Sequence, residues 1–214
     1  MNIFSYLFPI NIKTYFSKYN GRIEIKEYFG KKIIYVGDAQ QTGGTITPMW
    51  GKVIGDYRRT KRKIRRCLVL GIGGGDVFKK ISDYYPEAEV TAVDIDKVMV
   101  DTAYEFFSLG KVKNIQTIIS DAIGWISNVS VRHQYDLIIV DLFIGKDNPK
   151  KSRHKEFLLN LRRNLSVTGR VLYNCHYHKD RDKEYANFVL SCQKIFSSVD
   201  EVFIYPYNRI LSLR

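Results

Sequence analysis

The chain has 214 residues and a mass of 24.9 kDa, which suits one medium domain with a short extension. Hydrophobic residues make up 45% of it, enough for a sizeable core, and this composition excludes global disorder. Lysine and arginine number 34 against 22 aspartates and glutamates, and the net charge of +12 favours anionic partners, although a solvated basic face explains the excess equally well.

The N-terminal segment, residues 1–12, is apolar and aromatic. It lacks a basic leader and a small-residue cleavage site, so we expect it to pack onto the domain rather than act as a signal peptide. No apolar run in the chain approaches the roughly 20 residues of a transmembrane segment. Three scattered cysteines, Cys67, Cys175 and Cys192, suit neither a disulfide scaffold nor a zinc site, which predicts a reducing, cytoplasmic location and no metal.

Residues 1–57 are predicted to form a small β-rich region. The β-prone runs 22–28 and 31–36 are separated by two residues and are typical of a hairpin, and a polar loop with glycines follows at 38–44. Residues 58–66 then contain seven basic side chains in nine. They could contact phosphates, as in nucleic-acid binding, but we favour a solvated helix end or a linker.

From Cys67 onward, strands and helices alternate. Strands are predicted at 67–70, 89–93, 115–119, 135–140, 170–173, 199–205 and 209–213, and helices at 77–85, 97–109, 122–129, 155–165 and 183–196. Repeated strand–helix units with short connections imply a parallel sheet covered on both faces by helices. The last two strands, which only a tight turn separates, must pair antiparallel. This pattern predicts an α/β fold with the seven-stranded, Rossmann-like sheet of class I methyltransferase-like proteins.

Acidic residues recur at the carboxyl ends of the predicted strands. Asp76 follows the glycine turn at 71–75, and Asp94, Asp121 and Asp141 stand at the ends of the next three strands. Because ligands of open α/β sheets bind at the carboxyl ends of the strands, we expect these acids to converge on a ligand. The alternative, that each aspartate only caps the following helix, applies best to Asp121.

The glycine turn discriminates between nucleotide ligands. Gly71, Gly73 and Gly75 allow the backbone to approach a ligand closely, and a helix N-terminus follows them. A dinucleotide-binding motif has glycine at the sixth position, which is Asp76 here, and a carboxylate faces a pyrophosphate unfavourably. NAD and FAD are therefore disfavoured, and a P-loop is excluded because no G-K-[ST] follows.

A cationic sulfonium nucleoside suits these side chains better. Asp94 lies 23 positions after Gly71, at a strand end where its carboxylate can accept hydrogen bonds from both ribose hydroxyls. Asp121 and Ala122 can meet the adenine edge. We therefore predict that residues 58–214 form a nucleoside-binding domain.

Six segments carry a resemblance to a known family. They are LGIGGGD at 70–76, VDID at 93–96, SDA at 120–122 and DLIIVD at 136–141, together with 19–25 and 36–44 upstream. They resemble the polyamine aminopropyltransferases, the spermidine synthase family, and the resemblance covers most of the chain. It implies a small N-terminal β-domain, a glutamine-bearing loop and a homodimer.

The resemblance also implies a reaction. An amine would attack the carbon next to the sulfonium of decarboxylated S-adenosylmethionine and release methylthioadenosine, with Asp141 as the base that holds and deprotonates the amine. Asp76 would hold the amino end of the aminopropyl group. Gln41 and Asp94 would contact the nucleoside, and Asp121 its base.

Departures from the family pattern concern the amine end of the site. The family carries a second aspartate and a proline where this chain has Ile144 and Gly145, and a polyamine-binding carboxylate falls near Lys52. The loop at 146–155 has five cations, which disfavour a polycationic substrate. Asp147 is a candidate replacement for the missing acid.

Three hypotheses remain open from the sequence. The favoured one is an aminopropyltransferase with altered amine specificity. The second is a methyltransferase that uses S-adenosylmethionine itself on an anionic or nucleic-acid-like acceptor, and the third is a non-catalytic nucleoside-binding homologue. His176 could line the acceptor pocket, but a structural or exposed role is the simpler interpretation.

Overall fold

The structure, a computed structural model, describes residues 3–43, 46–60, 62–107, 109–128, 135–145, 147–205 and 207–214. Its chain falls into two compact units. The first consists of Met1–Arg62, Ile72–Pro86 and Ile95–Lys113, and the second of Lys63–Gly71, Glu87–Asp94 and Asn114–Arg214. The boundary between residues 57 and 58 that the sequence suggests stays a prediction.

The first unit contains a four-stranded antiparallel sheet in the order β1-β2-β3-β4. Its strands are β1 (Ile10–Ser17), β2 (Gly21–Tyr28), β3 (Lys31–Val36) and β4 (Ala39–Gln40). β2 and β3 form the hairpin that the sequence predicts, with Ile25 opposite Ile34. β1 is an additional strand, since the sequence indicates only an apolar segment up to residue 12.

The α-helices described in the first unit are α1 (Ile46–Arg59), α2 (Asp76–Tyr84) and α3 (Lys97–Phe106). The sequence predicts α2 and α3, with α3 ending three residues earlier than expected, but it does not predict α1. Met99 of α3 packs with the isoleucines and the valine on the inner face of β2 and β3, which are Ile23, Ile25, Ile34 and Val36. Arg58 and Arg59 are exposed in the last turn of α1, as a solvated helix end requires.

The second unit contains the predicted seven-stranded sheet, in the order β10-β11-β9-β8-β5-β6-β7. Its strands are β5 (Arg66–Leu70), β6 (Glu89–Asp94), β7 (Ile115–Ile119), β8 (Tyr135–Val140), β9 (Leu165–His176), β10 (Val199–Tyr205) and β11 (Asn208–Leu213). β5 to β9 run parallel, and β11 and β10 follow antiparallel. This mixed α/β sheet confirms the predicted fold class.

One face of this sheet is covered by α4 (Ala122–Asn128), α5 (Lys155–Asn164) and α6 (Asp182–Gln193). Alternate residues of the strands, such as Leu68 and Leu70 of β5, pack against Phe157, Leu161 and Phe188 of the helices. Burying a side chain of this size stabilises the fold by about 1.5–3 kcal/mol. The core therefore holds the strand ends, and the side chains that follow them, in fixed positions.

The largest difference from the sequence prediction in this unit concerns β9. The sequence predicts that this strand begins only at residue 170, since Thr168 and Gly169 are typical of a turn, but both residues lie inside the 12-residue strand. A residue with a side chain is excluded at position 169, because its Cβ atom would lie 2.7 Å from the carbonyl oxygen of Tyr135. Among the helices that the structure describes, none is both long and apolar enough to cross a membrane.

Candidate functional site

Three of the predicted acids lie at one edge of the seven-stranded sheet. Asp94 is the last residue of β6, Asp141 directly follows β8, and Asp121 lies two residues beyond Ile119, the last residue of β7. β8, β5, β6 and β7 are neighbours and run parallel, so their carboxyl ends share this edge. The amide of Ser120 donates to the carbonyl of Asp94 at 2.9 Å, which continues the ladder past the strand ends.

Gly71 fixes the backbone beside Asp141. It follows β5 with φ +94°, and a Cβ atom here would lie 2.2 Å from the carbonyl oxygen of Asp141. Its amide donates to Val93 at 2.8 Å, while the amide of Asp141 donates to Leu70 at 2.8 Å. Only glycine meets both the left-handed conformation and this close approach.

The side chain of Asp141 is oriented by a neighbouring amide. Asn174, near the end of β9, is 2% exposed, and its Nδ2 donates to Oδ1 of Asp141 at 2.8 Å. Asn208 of β11 donates in turn to Oδ1 of Asn174 at 3.0 Å, which fixes the direction of the amide. A neutral donor of this kind orients a carboxylate without cancelling its charge.

Asp121 makes the capping contact that the sequence left open. Its Oδ1 accepts a hydrogen bond from the amide of Ile123 at 3.1 Å, in the first turn of α4. It also lines a cavity of about 340 Å³ together with Ser120, Gly124, Trp125 and Asn128. Ala122 is buried in the core of this unit. Capping and a place beside a cavity are therefore both features of Asp121.

Asp94 does not cap the helix that follows it. The N-cap of α3 is Asp96, whose Oδ1 accepts from the amide of Val98 at 3.0 Å. The capping alternative is thus met two residues further along the chain, and the ribose role that the sequence assigns to Asp94 stays a prediction.

The remaining glycines of the turn belong to the first unit. Gly73 has φ +50° and Gly75 has φ +86°, so both occupy the left-handed region as their type predicts. Gly74 is needed for a different reason, because a Cβ atom there would lie 2.3 Å from Cβ of Thr42. The turn therefore packs tightly against the segment that follows Gln41. The backbone amide of Gln41 donates to the carbonyl of Ile34 at 2.8 Å.

Asp76, the first residue of α2, is held by that same segment. Its Oδ2 accepts from the hydroxyl of Thr42 and, at 3.0 Å, from the amide of Gly43, and its Oδ1 accepts from the hydroxyl of Thr47. A carboxylate has about four acceptor positions, so three donors leave room for one more. Asp76 is thereby fixed in orientation by three donors, which capping of α2 alone would not require.

The departures at the amine end are also visible in the structure. Lys52 lies in α1 and donates to Asp56 at 2.8 Å, one turn further along the helix. Asp147 accepts from Nδ1 of His176 at 3.0 Å and from Nη1 of Arg181 at 2.8 Å. The acid that could replace the missing carboxylate is therefore already engaged by an imidazole and a guanidinium.

Four residues that hold these carboxylates are not predicted from the sequence: Thr42, Gly43, Thr47 and Asn174. Asn174 left a signal, since it is a polar residue within the apolar run of β9 close to its carboxyl end. Thr42 and Thr47 left none, because their partner Asp76 lies about 30 positions further along the chain. Within the described ranges, no group of three or more His, Cys, Asp and Glu side chains is arranged to hold a metal ion.

Comparison with known proteins gives a family match over most of the chain. Residues 57–206 match the model of the spermine/spermidine synthase domain. A polyamine aminopropyltransferase of Vibrio vulnificus is 32% identical over 113 residues, which are 52% of this chain and 38% of that protein. The matched stretch is thus well under half the length of this relative.

Solved structures share the fold. A probable spermidine synthase from Corynebacterium glutamicum superposes with a TM-score of 0.78 at 20% identity, covering 96% of this chain and 80% of the other. Human methyltransferase-like protein 13, solved in complex with SAH, superposes with a TM-score of 0.65 at 19% identity over 81% of this chain and 82% of the other. Both similarities concern the architecture.

Proposed function

The chain belongs to the spermine/spermidine synthase family, and from this premise we propose that it transfers an aminopropyl group from decarboxylated S-adenosylmethionine to an amine. The observation that carries the proposal is the Asp141 carboxylate, held by Asn174 at the end of a central parallel strand. An alkyl amine is protonated near neutral pH, so its attack needs a carboxylate that binds the ammonium and takes the proton.

The proposed reaction is a substitution at carbon. The amine nitrogen forms a bond to the aminopropyl carbon next to sulfur, and the carbon–sulfur bond breaks with its electron pair going to the sulfonium. The products are neutral methylthioadenosine and the alkylated amine, whose proton goes to Asp141. Asp94 would hold the ribose, and Asp121 with Ala122 the adenine, at the strand ends where such ligands bind.

The first unit contributes an argument about the form of the nucleoside. Family resemblance assigns Gln41, Gly73 and Gly75 to nucleoside binding and Asp76 to the amino end of the transferred group. Three donors hold the Asp76 carboxylate and leave one acceptor position, which suits an ammonium. Intact S-adenosylmethionine carries a carboxylate next to that ammonium, and Asp76 would repel it. This supports the decarboxylated form.

Two measurements test this function. Calorimetric titration compares decarboxylated S-adenosylmethionine, S-adenosylmethionine and methylthioadenosine, and we expect the decarboxylated ligand to bind at least about tenfold more tightly than the intact one. Release of methylthioadenosine is then followed with a panel of primary amines that includes putrescine. Tighter binding of the intact ligand together with methyl transfer would contradict aminopropyl transfer, and binding without any turnover would leave only a nucleoside-binding homologue.

A further inference from the structure

A chain of hydrogen bonds leads away from Asp141 within the second unit. Asn174 donates to Asp141, and the backbone carbonyl of Asn174 accepts from Nδ2 of Asn148 at 3.1 Å. Asn148, which is 9% exposed, accepts through Oδ1 from the amide of His176 at 2.7 Å. The proposed base is thus linked by short, partly or fully buried hydrogen bonds to the last residue of β9.

The chain continues from His176 into an ion-paired cluster. Oδ1 of Asp147 accepts both from Nδ1 of His176, at 3.0 Å, and from Nη1 of Arg181, at 2.8 Å. Partial burial acts to raise the pKa of Asp147, but the hydrogen bond from His176 and the charge of Arg181 outweigh it and lower that pKa below its usual range. Asp147 is therefore ionised at neutral pH, and its charge is compensated.

The two acids on either side of Arg181 in the sequence, Asp180 and Asp182, also have partners. Asp180 pairs with Nδ1 of His178 at 3.2 Å, and Asp182 accepts from the hydroxyl of Tyr177 at 3.0 Å. A diamine, which presents a second ammonium at its far end, would need a carboxylate that has no such partner. None of these three aspartates offers one.

Positive charge dominates the loop between β8 and α5. Residues 147–155 carry four cations, Lys150, Lys151, Arg153 and Lys155, against the single acid Asp147. Nη2 of Arg153 donates to the carbonyl of His176 at 2.9 Å, so this guanidinium joins the same network, and its buried Nε has no hydrogen-bond partner among the described residues. A second ammonium would be repelled here, whereas a carboxylate would be attracted.

We propose that the acceptor is an amine with a carboxylate at its far end, an ω-amino acid rather than a diamine, and that Arg181 binds this carboxylate. The proposal rests on the aminopropyl transfer proposed above, in which Asp141 receives the amine. Arg181 suits the role because its guanidinium has five N–H donors in a planar fork that matches a carboxylate, and only Nη1 is engaged by Asp147 among the contacts of the described residues.

Matched acceptor pairs test this proposal in the unmodified protein. Putrescine and 4-aminobutanoate present the same amine on chains of equal length, as do cadaverine and 5-aminopentanoate, so only the charge of the far end differs. We expect kcat/KM for methylthioadenosine release to be at least about tenfold higher with the ω-amino acid of the better pair, the factor that about 1.4 kcal/mol supplies. A preference for the diamine in both pairs would overturn the proposal and leave aminopropyl transfer standing. If none of these amines led to release of methylthioadenosine, the transfer itself would be overturned.

A charge-matched pair of variants tests the role of Arg181. Arg181→Gln should lower the ratio of kcat/KM for the ω-amino acid over the diamine about tenfold, because it removes the fork and exposes the charge of Asp147. Arg163→Gln removes the same charge from an exposed position of α5 in the same unit and should leave the ratio unchanged. Equal ratios in both variants would exclude Arg181 as the carboxylate contact. Calorimetry with decarboxylated S-adenosylmethionine confirms that each variant is folded.

Discussion

Replacing Asp141 with asparagine removes the negative charge of the side chain and keeps its size. In Asp141→Asn the amide occupies the same volume but can neither hold the ammonium of an acceptor nor take its proton. We expect kcat for methylthioadenosine release to fall at least about a hundredfold, the lower bound for general-base catalysis, while the calorimetric affinity for the nucleoside changes little. Asp200→Asn makes the same change at an exposed position of β10 and serves as the control. Turnover close to the unmodified level would exclude Asp141 as the base.

Gly71 should tolerate no side chain. Alanine there meets both a left-handed backbone, which costs about 1–2 kcal/mol, and the carbonyl of Asp141 at 2.2 Å, which cannot move without displacing the proposed base. Gly145 in the same unit has φ +63°, but a Cβ atom there would have no atom of the described residues within 4 Å apart from its chain neighbours, so Gly145→Ala isolates the backbone cost. Urea denaturation should show Gly71→Ala to be less stable than Gly145→Ala by about 1–3 kcal/mol. Equal losses would mean that the contact with Asp141 relaxes freely.

The acids at the strand ends can be predicted from local sequence patterns, whereas the residues that contact them cannot. Asp141 is predictable because an apolar run that suits a buried parallel strand stops at it. Its contact with Asn174 joins residues 33 positions apart and exists only because β8 and β9 pair in one particular register. The sequence therefore indicates which carboxylates matter before it can show what orients them.

Among the helices, α1 shows how a pattern can be present and still be missed. Its buried residues recur at helical spacing, Met49, Trp50, Val53, Ile54 and Tyr57. The same segment contains Pro48, Gly51 and Gly55, which lower helix propensity and are typical of loops. Burial of the apolar stripe outweighs the weak propensity, so a tertiary effect decides this element.

The start of α3 depends on one buried carboxylate. Asp96 is 2% exposed and accepts from the amide of Val98, from Nδ2 of Asn20 at 2.7 Å and from the hydroxyl of Ser17. Asp96→Ala removes the cap and leaves these donors without their acceptor, which we expect to cost about 2–3 kcal/mol of unfolding free energy.

The same helix supplies the control for Asp96. Asp101 forms an exposed pair with Lys97, and Asp101→Ala should change the unfolding free energy by no more than about 0.5 kcal/mol in the same urea titration. Similar losses in both variants would show that helix charge, rather than the buried cap, stabilises this part of the first unit.

At the scale of the whole molecule, the order of strands and helices along the chain determines most of the topology. Alternating strands and helices with a final hairpin allow few topologies, because parallel neighbours need crossovers and a tight turn forces antiparallel pairing. The start of β9 is harder to predict from the sequence. Thr168 and Gly169 favour a turn locally, but they are held in the strand by their neighbours. Topology is thus more predictable than the ends of its elements.

The core of the second unit should protect its thiols as a group. Cys67, Cys175 and Cys192 are all 0% exposed, and burial raises the pKa of each thiol, that of Cys192 to about 12. Because the thiolate is the reactive form, each thiol carries far less of it than a free cysteine. We therefore expect no reaction with a chromogenic disulfide reagent within minutes at pH 8, and reaction of three thiols in guanidinium chloride.

Thiol reactivity measured at increasing denaturant concentration shows whether the three thiols become accessible together. Cys67 lies in β5, Cys175 in β9 and Cys192 in α6, so all three elements must separate before every thiol is accessible. If the sheet and its helices open as one unit, the three thiols become reactive together over the range where the near-ultraviolet signal of the tertiary structure is lost. Exposure of Cys192 at lower denaturant than the two strand thiols would instead show that α6 leaves the sheet first, and rapid labelling of the native protein would contradict the packing of this core.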